Sequence, residues 1–410
     1  MLRRLLSIST AISTLLNIKL TSSLASAPSS LSRASSLCAT TAVMTSASSS
    51  SQTTLEDKIA GTIIGFYSGD ALAMPVHWYY DIYMLRDHFP NGITKYEAPR
   101  AKLPGSIMNL SNTGGGGRGS DKGSIIGDII NHGKKKYWLR GGDHHYHQGM
   151  MPGENTLDAI VSRVLLKSIV KCSGVFKRNE FVADYIKFMT TPGSHNDTYA
   201  GTCHRMFFSN LVEKNMDPSV CPDNDGHNVD AIDALMTVPI VTAAYIKSSK
   251  DERYAAVKDA IQSTRKTTMV LKYAYLYSDM IVSVVEGSSI RDATAAAARE
   301  LNIDIAREVQ FSSDGRDPMT ACYIDSSFPA MLFFAYKYSP SGTQTMLSKS
   351  ASAGGENVAR TSLLGALAGA AEGYSGYPAL LKEGLHGAPQ LLEETLALSA
   401  AVKAKNTSKL

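Results

Sequence analysis

Gly354-Gly355-Glu356-Asn357-Val358-Ala359, followed by Leu364-Gly365-Ala366-Leu367-Ala368-Gly369-Ala370, is the stretch whose reading settles the fold class. Gly365, Gly369 and Gly373 recur every fourth residue, with Ala366, Ala368, Ala370 and Ala371 among them. Residues four apart lie on one face of a helix, so this face is nearly bare of side chains. Glycine inside a helix costs up to about 1 kcal/mol against alanine. Such a loss is tolerated where a second backbone has to come close. The spacing predicts a central, tightly packed helix over 356–373 whose N-terminus opens into the middle of the molecule.

A similar segment lies far upstream. Gly153-Glu154-Asn155-Thr156 precedes a helix predicted from Leu157. Each segment sets a glycine, a carboxylate and an amide at a helix start. Capping accounts for either one alone, because asparagine is a good N-cap and an acid suits the first turn. Their recurrence in the same setting predicts a shared site, with Glu154 and Glu356 facing one cavity. A third cluster, Gly69-Asp70-Ala71-Leu72-Ala73-Met74-Pro75-Val76-His77-Trp78-Tyr79, runs from a helix into a turn. Asp70 is expected to cap or orient that turn, and His77 to lie against an aromatic wall or as a satisfied interior histidine. His144-His145-Tyr146-His147 is either ordinary polar surface or, if the chain turns, a pair of metal ligands in His144 and His147.

Outward from these motifs the periodicity is helical. Leu157, Ile160, Val161, Val164 and Leu165 form one stripe; Phe181, Val182, Tyr185 and Phe188 a second; Val229, Ile232, Leu235 and Met236 a third. Further helices are expected near 267–285, 288–301, 320–337 and 388–403. Alternating strand patterns are scarce, which favours a helical domain over a sheet. Residues 90–154, with Gly114-Gly115-Gly116-Gly117, lack periodicity and read as a long loop. The glycines lack the Lys-Ser/Thr of a phosphate loop.

With 44% apolar and 19% charged residues, the chain can bury a substantial core. A net charge of +4 without a basic stretch interleaved with aromatics argues against nucleic-acid binding. Five scattered cysteines, Cys38, Cys172, Cys203, Cys221 and Cys322, give no disulfide framework and no paired zinc spacing. No Asp or Glu occurs before Glu56, while Arg3, Arg4, Lys19 and Arg33 carry positive charge. This is the composition of a transit peptide. Residues 1–52 are therefore read as a targeting segment for a mitochondrion or plastid, and 53–410 as a single domain. Ala25-Ser26-Ala27 leaves secretory entry open, and a start at Met44 would leave a cytosolic form.

Taken in order from about Leu55 onward, these segments resemble the ADP-ribosylglycohydrolase family, which includes the J-type crystallins. The family's opening motif, Gly-Asp-Ala-x-Gly-x-Pro-x-Glu, reads here Gly69 to His77. Its Thr-Asp-Asp-Thr motif reads Gly153-Glu154-Asn155-Thr156, and its Gly-Gly-Asp-Thr-Asp-Thr motif reads Gly354 to Ala359. The resemblance implies an all-α fold, a compact multi-helix orthogonal bundle with a central cleft. It also implies a hydrolase that cleaves an N- or O-glycosidic bond of an ADP-ribosyl or related conjugate. The family's acidic motifs hold two magnesium ions. Here Gly153, Val358 and Ala359 stand at ligand positions, and His77 replaces a glutamate. Magnesium requires oxygen donors, usually with carboxylates among them, so one ion or none is expected. Glu154, Glu356 and His77 are expected to supply acid–base chemistry. Asn155, Asn357, Asp70 and Thr156 would hold substrate, and Glu154, Asn155 and Glu356 any metal. The expected partner is a small-molecule or ADP-ribosylated substrate, with no nucleic acid and no membrane in the mature form. The rival expectation is a non-catalytic, crystallin-like relative that keeps the fold for structure or ligand binding.

Overall fold

A computed structural model describes residues 53–110, 124–139, 141–312 and 316–407. The targeting reading of residues 1–52 and the Gly114–Gly117 loop lie outside these residues. Among them the chain forms α1 (Leu55–Ala73), α2 (Ile82–His88), α3 (Leu157–Lys171), α4 (Arg178–Thr190), α5 (Thr202–Phe208), α6 (Gly226–Val229), α7 (Val238–Ala244) and α8 (Lys250–Ile261). It continues through α9 (Leu271–Val285), α10 (Ile290–Glu300), α11 (Ile305–Phe311), α12 (Ile324–Tyr338), α13 (Thr343–Ser352), α14 (Val358–Gly376), α15 (Ala379–Glu383) and α16 (Ala388–Thr407). The described residues contain isolated bridges but no strand, so the fold is all-α.

The centre is a helix pair. Every residue of α1 from Ile59 to Ala73 is buried, and so is every residue of α14 from Val358 to Ala370. A helix buried on all sides has no need of a polar face, which explains the apolar run in each. The two lie antiparallel at glycine contacts. A Cβ added to Gly61 would strike the Gly369 carbonyl, one on Gly65 the Gly365 carbonyl, and one on Gly69 the Thr361 carbonyl. Thus the small-residue face of α14 meets a matching face on α1, spaced by the same four residues. By length and composition Leu55–Val76 could cross a bilayer, but its most apolar window is wholly buried in the protein, the place of a core helix. The α14 helix ends in a break at Gly373, whose φ of 70° lies in the left-handed region.

The stripe from Leu157 becomes α3 and the stripe from Phe181 becomes α4. The third stripe departs from expectation. Instead of one helix it gives the short α6, an extended Ala231, a 3-10 turn over Ile232–Thr237 and then α7. The Ile232 N–H is taken by the Cys322 carbonyl and the Asp230 carbonyl by the Ile324 N–H, so the chain pairs sideways at this point instead of continuing the helix. Cys172, Cys203, Cys221 and Cys322 are free thiols.

Candidate active site

Glu356 owes its position to the two glycines before it. Gly354 and Gly355 have φ of 70° and 65°, a conformation glycine adopts without the steric penalty of a Cβ. The turn they make is pinned to the segment after α1: Trp78 N–H donates to the Gly355 carbonyl at 3.0 Å, and Gly355 N–H donates to the Tyr79 carbonyl at 2.8 Å. Buried Arg360 ties the same turn from behind, donating to the Gly354 and Ser350 carbonyls at 3.0 and 2.9 Å. Burial brings this guanidinium down to about 10, against the pull of Glu356 and Asp317. Glu356 then stands just ahead of α14 and points both ways. Its Oε1 accepts from the Ala359 N–H at 3.3 Å, which caps the helix. Its Oε2 accepts from Trp78 Nε1 at 2.6 Å and lies 3.3 Å from His77 Nε2. Burial works to raise the carboxyl, but the charge and hydrogen bond of His77, then Trp78 and Ala359, outweigh it and hold Glu356 below its ordinary value.

From His77 a chain of buried contacts runs inward. His77 Nδ1 lies 2.7 Å from His147 Nε2, and His147 Nδ1 lies 2.8 Å from Asp197 Oδ1. The other Asp197 oxygen accepts from the Leu157 N–H at 2.7 Å, at the start of α3. Burial pushes Asp197 up, but His147 and the donors from Leu157 and Tyr199 more than offset it and keep the carboxylate ionised. Asp197 thereby fixes the ring of His147, and His147 that of His77. All four side chains are at most 7% exposed.

Glu356, His77 and Trp78 line a cavity of about 420 Å³. Trp78, Tyr146 and Tyr199 form one wall, edge to face, with ring centres 4.6, 5.0 and 5.5 Å apart. Trp78 holds a φ of 59°, a strained conformation for so bulky a residue and of a kind that gathers at functional sites. Asp158 and Asp233 also line the cavity. Arg265 Nη2 donates to Asp233 Oδ2 at 2.6 Å and lies 3.9 Å from Asp158 Oδ1, which sits 2.9 Å from His204 Nε2. The two acids diverge. Burial raises the Asp233 carboxyl, with Arg265 opposing and Asp158 and Glu356 reinforcing. Asp158 is held below its usual value, because His204 and then Arg265 outweigh its burial.

The expected meeting of Glu154 with Glu356 does not occur. Glu154 is absent from the cavity lining, and its Oε2 accepts from the Met151 N–H at 2.6 Å and from Asn196 Nδ2 at 3.0 Å, closing a loop. Asp70, Asn155 and Thr156 do come together, but with one another: Asp70 accepts from Asn155 Nδ2, the Thr156 N–H and Thr156 Oγ1 at 2.9, 2.8 and 2.6 Å. Asn357 is fully buried and donates to the Val76 and Ala351 carbonyls. These four side chains hold backbone in place rather than face the cavity. His144 and His147 also part, His144 turning to Gln148. Asp158, Asp233, Tyr146, Tyr199 and Arg205 went unread because each comes from a different element. Only Asp158, two residues beyond Thr156, and Tyr146, between His145 and His147, carried a local hint.

The donor set does not suit the family's two magnesium ions. Val358 and Ala359 offer no side-chain ligand. Asn155 turns its nitrogen to Asp70, Glu154 is engaged elsewhere, and Glu356 already accepts from Trp78 and Ala359. Among the described residues no three His, Cys, Asp or Glu side chains stand in a metal-holding group.

A family model described as ADP-ribosylglycohydrolase matches residues 51–408. One solved structure, titled an ADP-ribosylglycohydrolase-related protein complex, superposes with a TM-score of 0.54 at 16% identity, covering 85% of this chain and 99% of the other. No curated protein matches the sequence. With the motif order, the paired core helices and the cavity at the start of α14, these findings establish that the chain belongs to the ADP-ribosylglycohydrolase family.

Proposed function

We propose that the protein hydrolyses an N- or O-glycosidic bond to ribose in an ADP-ribosyl or related conjugate, and that side chains take the part metal ions play in the family. The observation that carries this reading is the contact of Glu356 with His77, at 3.3 Å, in the floor of an aromatic-walled cavity. Glycosidic bonds break through an oxocarbenium-like state, and a carboxylate beside the ribose stabilises that charge. Glu356 is held low by His77, Trp78 and Ala359, which leaves it ionised and ready to act as a base. In the proposed step a water oxygen bonds to the ribose C1′ and passes its proton to Glu356. The glycosidic electron pair leaves with the departing group, which takes a proton from a second water. Glu356 returns its proton to solvent, which replaces the one the departing group took. His77, aligned by His147 and Asp197, holds Glu356 in place.

The test is turnover of a panel of ADP-ribosyl and ribosyl conjugates by wild type and Glu356→Gln. A general base contributes about 100-fold or more, so the variant is expected to lose at least that in kcat while folding normally. Wild-type turnover is expected to survive treatment with a chelator. Unchanged turnover in Glu356→Gln removes this residue from the chemistry. Failure of the wild type to bind or turn over any conjugate favours the crystallin-like rival.

A further inference from the structure

We propose that the cavity takes an aromatic N-riboside without a diphosphate, its base neutral or cationic. The inference rests on the reading of this cavity as a ribosyl site and names the substrate class within it. The first observation is the charge of the lining. Asp158, Asp233 and Glu356 all face the cavity, and among the described lining residues the one fixed cation is Arg205. That guanidinium is already committed: Nη1 donates to the Ala200 carbonyl at 2.6 Å, Nη2 donates to Thr202 Oγ1 at 2.9 Å, and the group lies over the Trp138 ring at 5.0 Å. Arg265 sits behind the acids, paired with Asp233. A diphosphate brings negative charge into such a site and meets repulsion wherever water is excluded.

The second observation is that the usual anion receptor is filled. A helix N-terminus offers N–H groups and positive potential to a phosphate. Here α14 starts at the cavity, but Glu356 Oε1 takes the Ala359 N–H and sets its own negative charge over that helix end. Among the described lining residues no uncommitted arginine faces the cavity, and the start of α14 is taken.

The third observation concerns what the site does offer. Trp78, Tyr146 and Tyr199 present aromatic surface, on which a base can stack and against which a cationic ring gains further. Tyr80 and Tyr323 also line the cavity and are 54% and 40% exposed. Carboxylates accept from ribose hydroxyls without needing a counter-ion. A volume of about 420 Å³ lies in the range of small-ligand sites. The chemistry that matches an acidic floor under an aromatic wall is a nucleoside, not a nucleotide.

The experiment is calorimetry on the full chain with adenosine, nicotinamide riboside and ADP-ribose at low salt. Adenosine and nicotinamide riboside are each expected to bind at least tenfold tighter than ADP-ribose. Asp233→Asn is expected to narrow that gap by raising ADP-ribose affinity, and added salt to narrow it further. Tyr199→Ala is expected to weaken adenosine and ADP-ribose alike and leave their ratio unchanged. ADP-ribose binding as tightly as adenosine, or no binding of either riboside to a folded wild type, overturns the proposal. Binding and turnover separate the two readings. Adenosine bound tightly but no glycoside cleaved leaves this inference standing and ends the hydrolase reading. A higher kcat/KM on an ADP-ribosyl conjugate than on its phosphate-free counterpart does the reverse.

Discussion

Asp70, which the sequence put forward to hold substrate, holds protein instead. It is fully buried beneath the site and accepts three hydrogen bonds from the turn that opens α3. Burial raises its carboxyl from 3.8 to about 6, against the hydrogen bonds of Thr156 and Asn155 that favour the ion. A raised carboxyl means the folded protein keeps a proton that the unfolded chain has released. Its contribution to stability is therefore complete below pH 3.8 and fades as pH climbs through about 6. A rise of about two pH units corresponds to ~3 kcal/mol. Urea melts of wild type and Asp70→Asn across pH 4 to 7 are expected to show the wild-type advantage shrinking by roughly that amount; a difference that stays flat with pH would remove Asp70 from this account. That Glu356 and His77 come to one cavity was legible, because the segments that carry them set their course: a double glycine before a helix, and Pro75 closing α1 into a turn. It misplaced Glu154, because whether a first-turn acid faces inward depends on the path of the loop before it, and that path is set by Asn196 on another segment.

At the scale of elements, α1 and α14 decide the architecture, and half of that was legible. The four-residue glycine spacing in α14 announced a close backbone neighbour. Gly61, Gly65 and Gly69 repeat the spacing in α1, but nothing local says that the two runs meet, since they come from opposite ends of the domain. Their contact leaves no room for a methyl group. A Cβ on Gly369 would collide with the Gly61 carbonyl, an atom that cannot move without shifting α1. Gly369→Ala is expected to destabilise by on the order of 4 kcal/mol or more, the range reserved for overpacked cores and forced backbone shifts. Gly376→Ala, just past the break at Gly373, meets only the Glu372 Cβ at 3.5 Å, an ordinary contact, and is expected to change stability by less than about 1 kcal/mol. Thermal melts of the two variants side by side measure this. Equal effects would show that the close approach is not what holds the pair together.

At the scale of the whole molecule, the end of the domain folds back on its beginning. The last helix, α16, packs against α1, α3 and α7, so helices from three parts of the chain share one partner. Leu391, Leu398 and Val402 are buried to 3% exposure or less. Glu394 pairs with Arg163 of α3 at 2.6 Å, and Lys405 Nζ donates to the Gly174 and Ala244 carbonyls at 3.3 and 3.1 Å, near the ends of α3 and α7. The periodicity over 388–403 announced this helix but not its neighbours, because an amphipathic stripe says which face is covered and not by what. Burying three such aliphatic side chains is worth ~5–9 kcal/mol, against a total stability of about 5–15 kcal/mol for a folded domain. A chain ending at Gly387 thus loses most of what keeps it folded. It also uncovers the flank of α1, whose C-terminal turn leads to His77 and Trp78. The truncated protein is expected to lose its cooperative thermal transition and its near-ultraviolet circular dichroism while keeping much helical signal, the signature of a loosened core. If it instead melts sharply and still binds a riboside, α16 is an ornament on the bundle and the core pair stands without it.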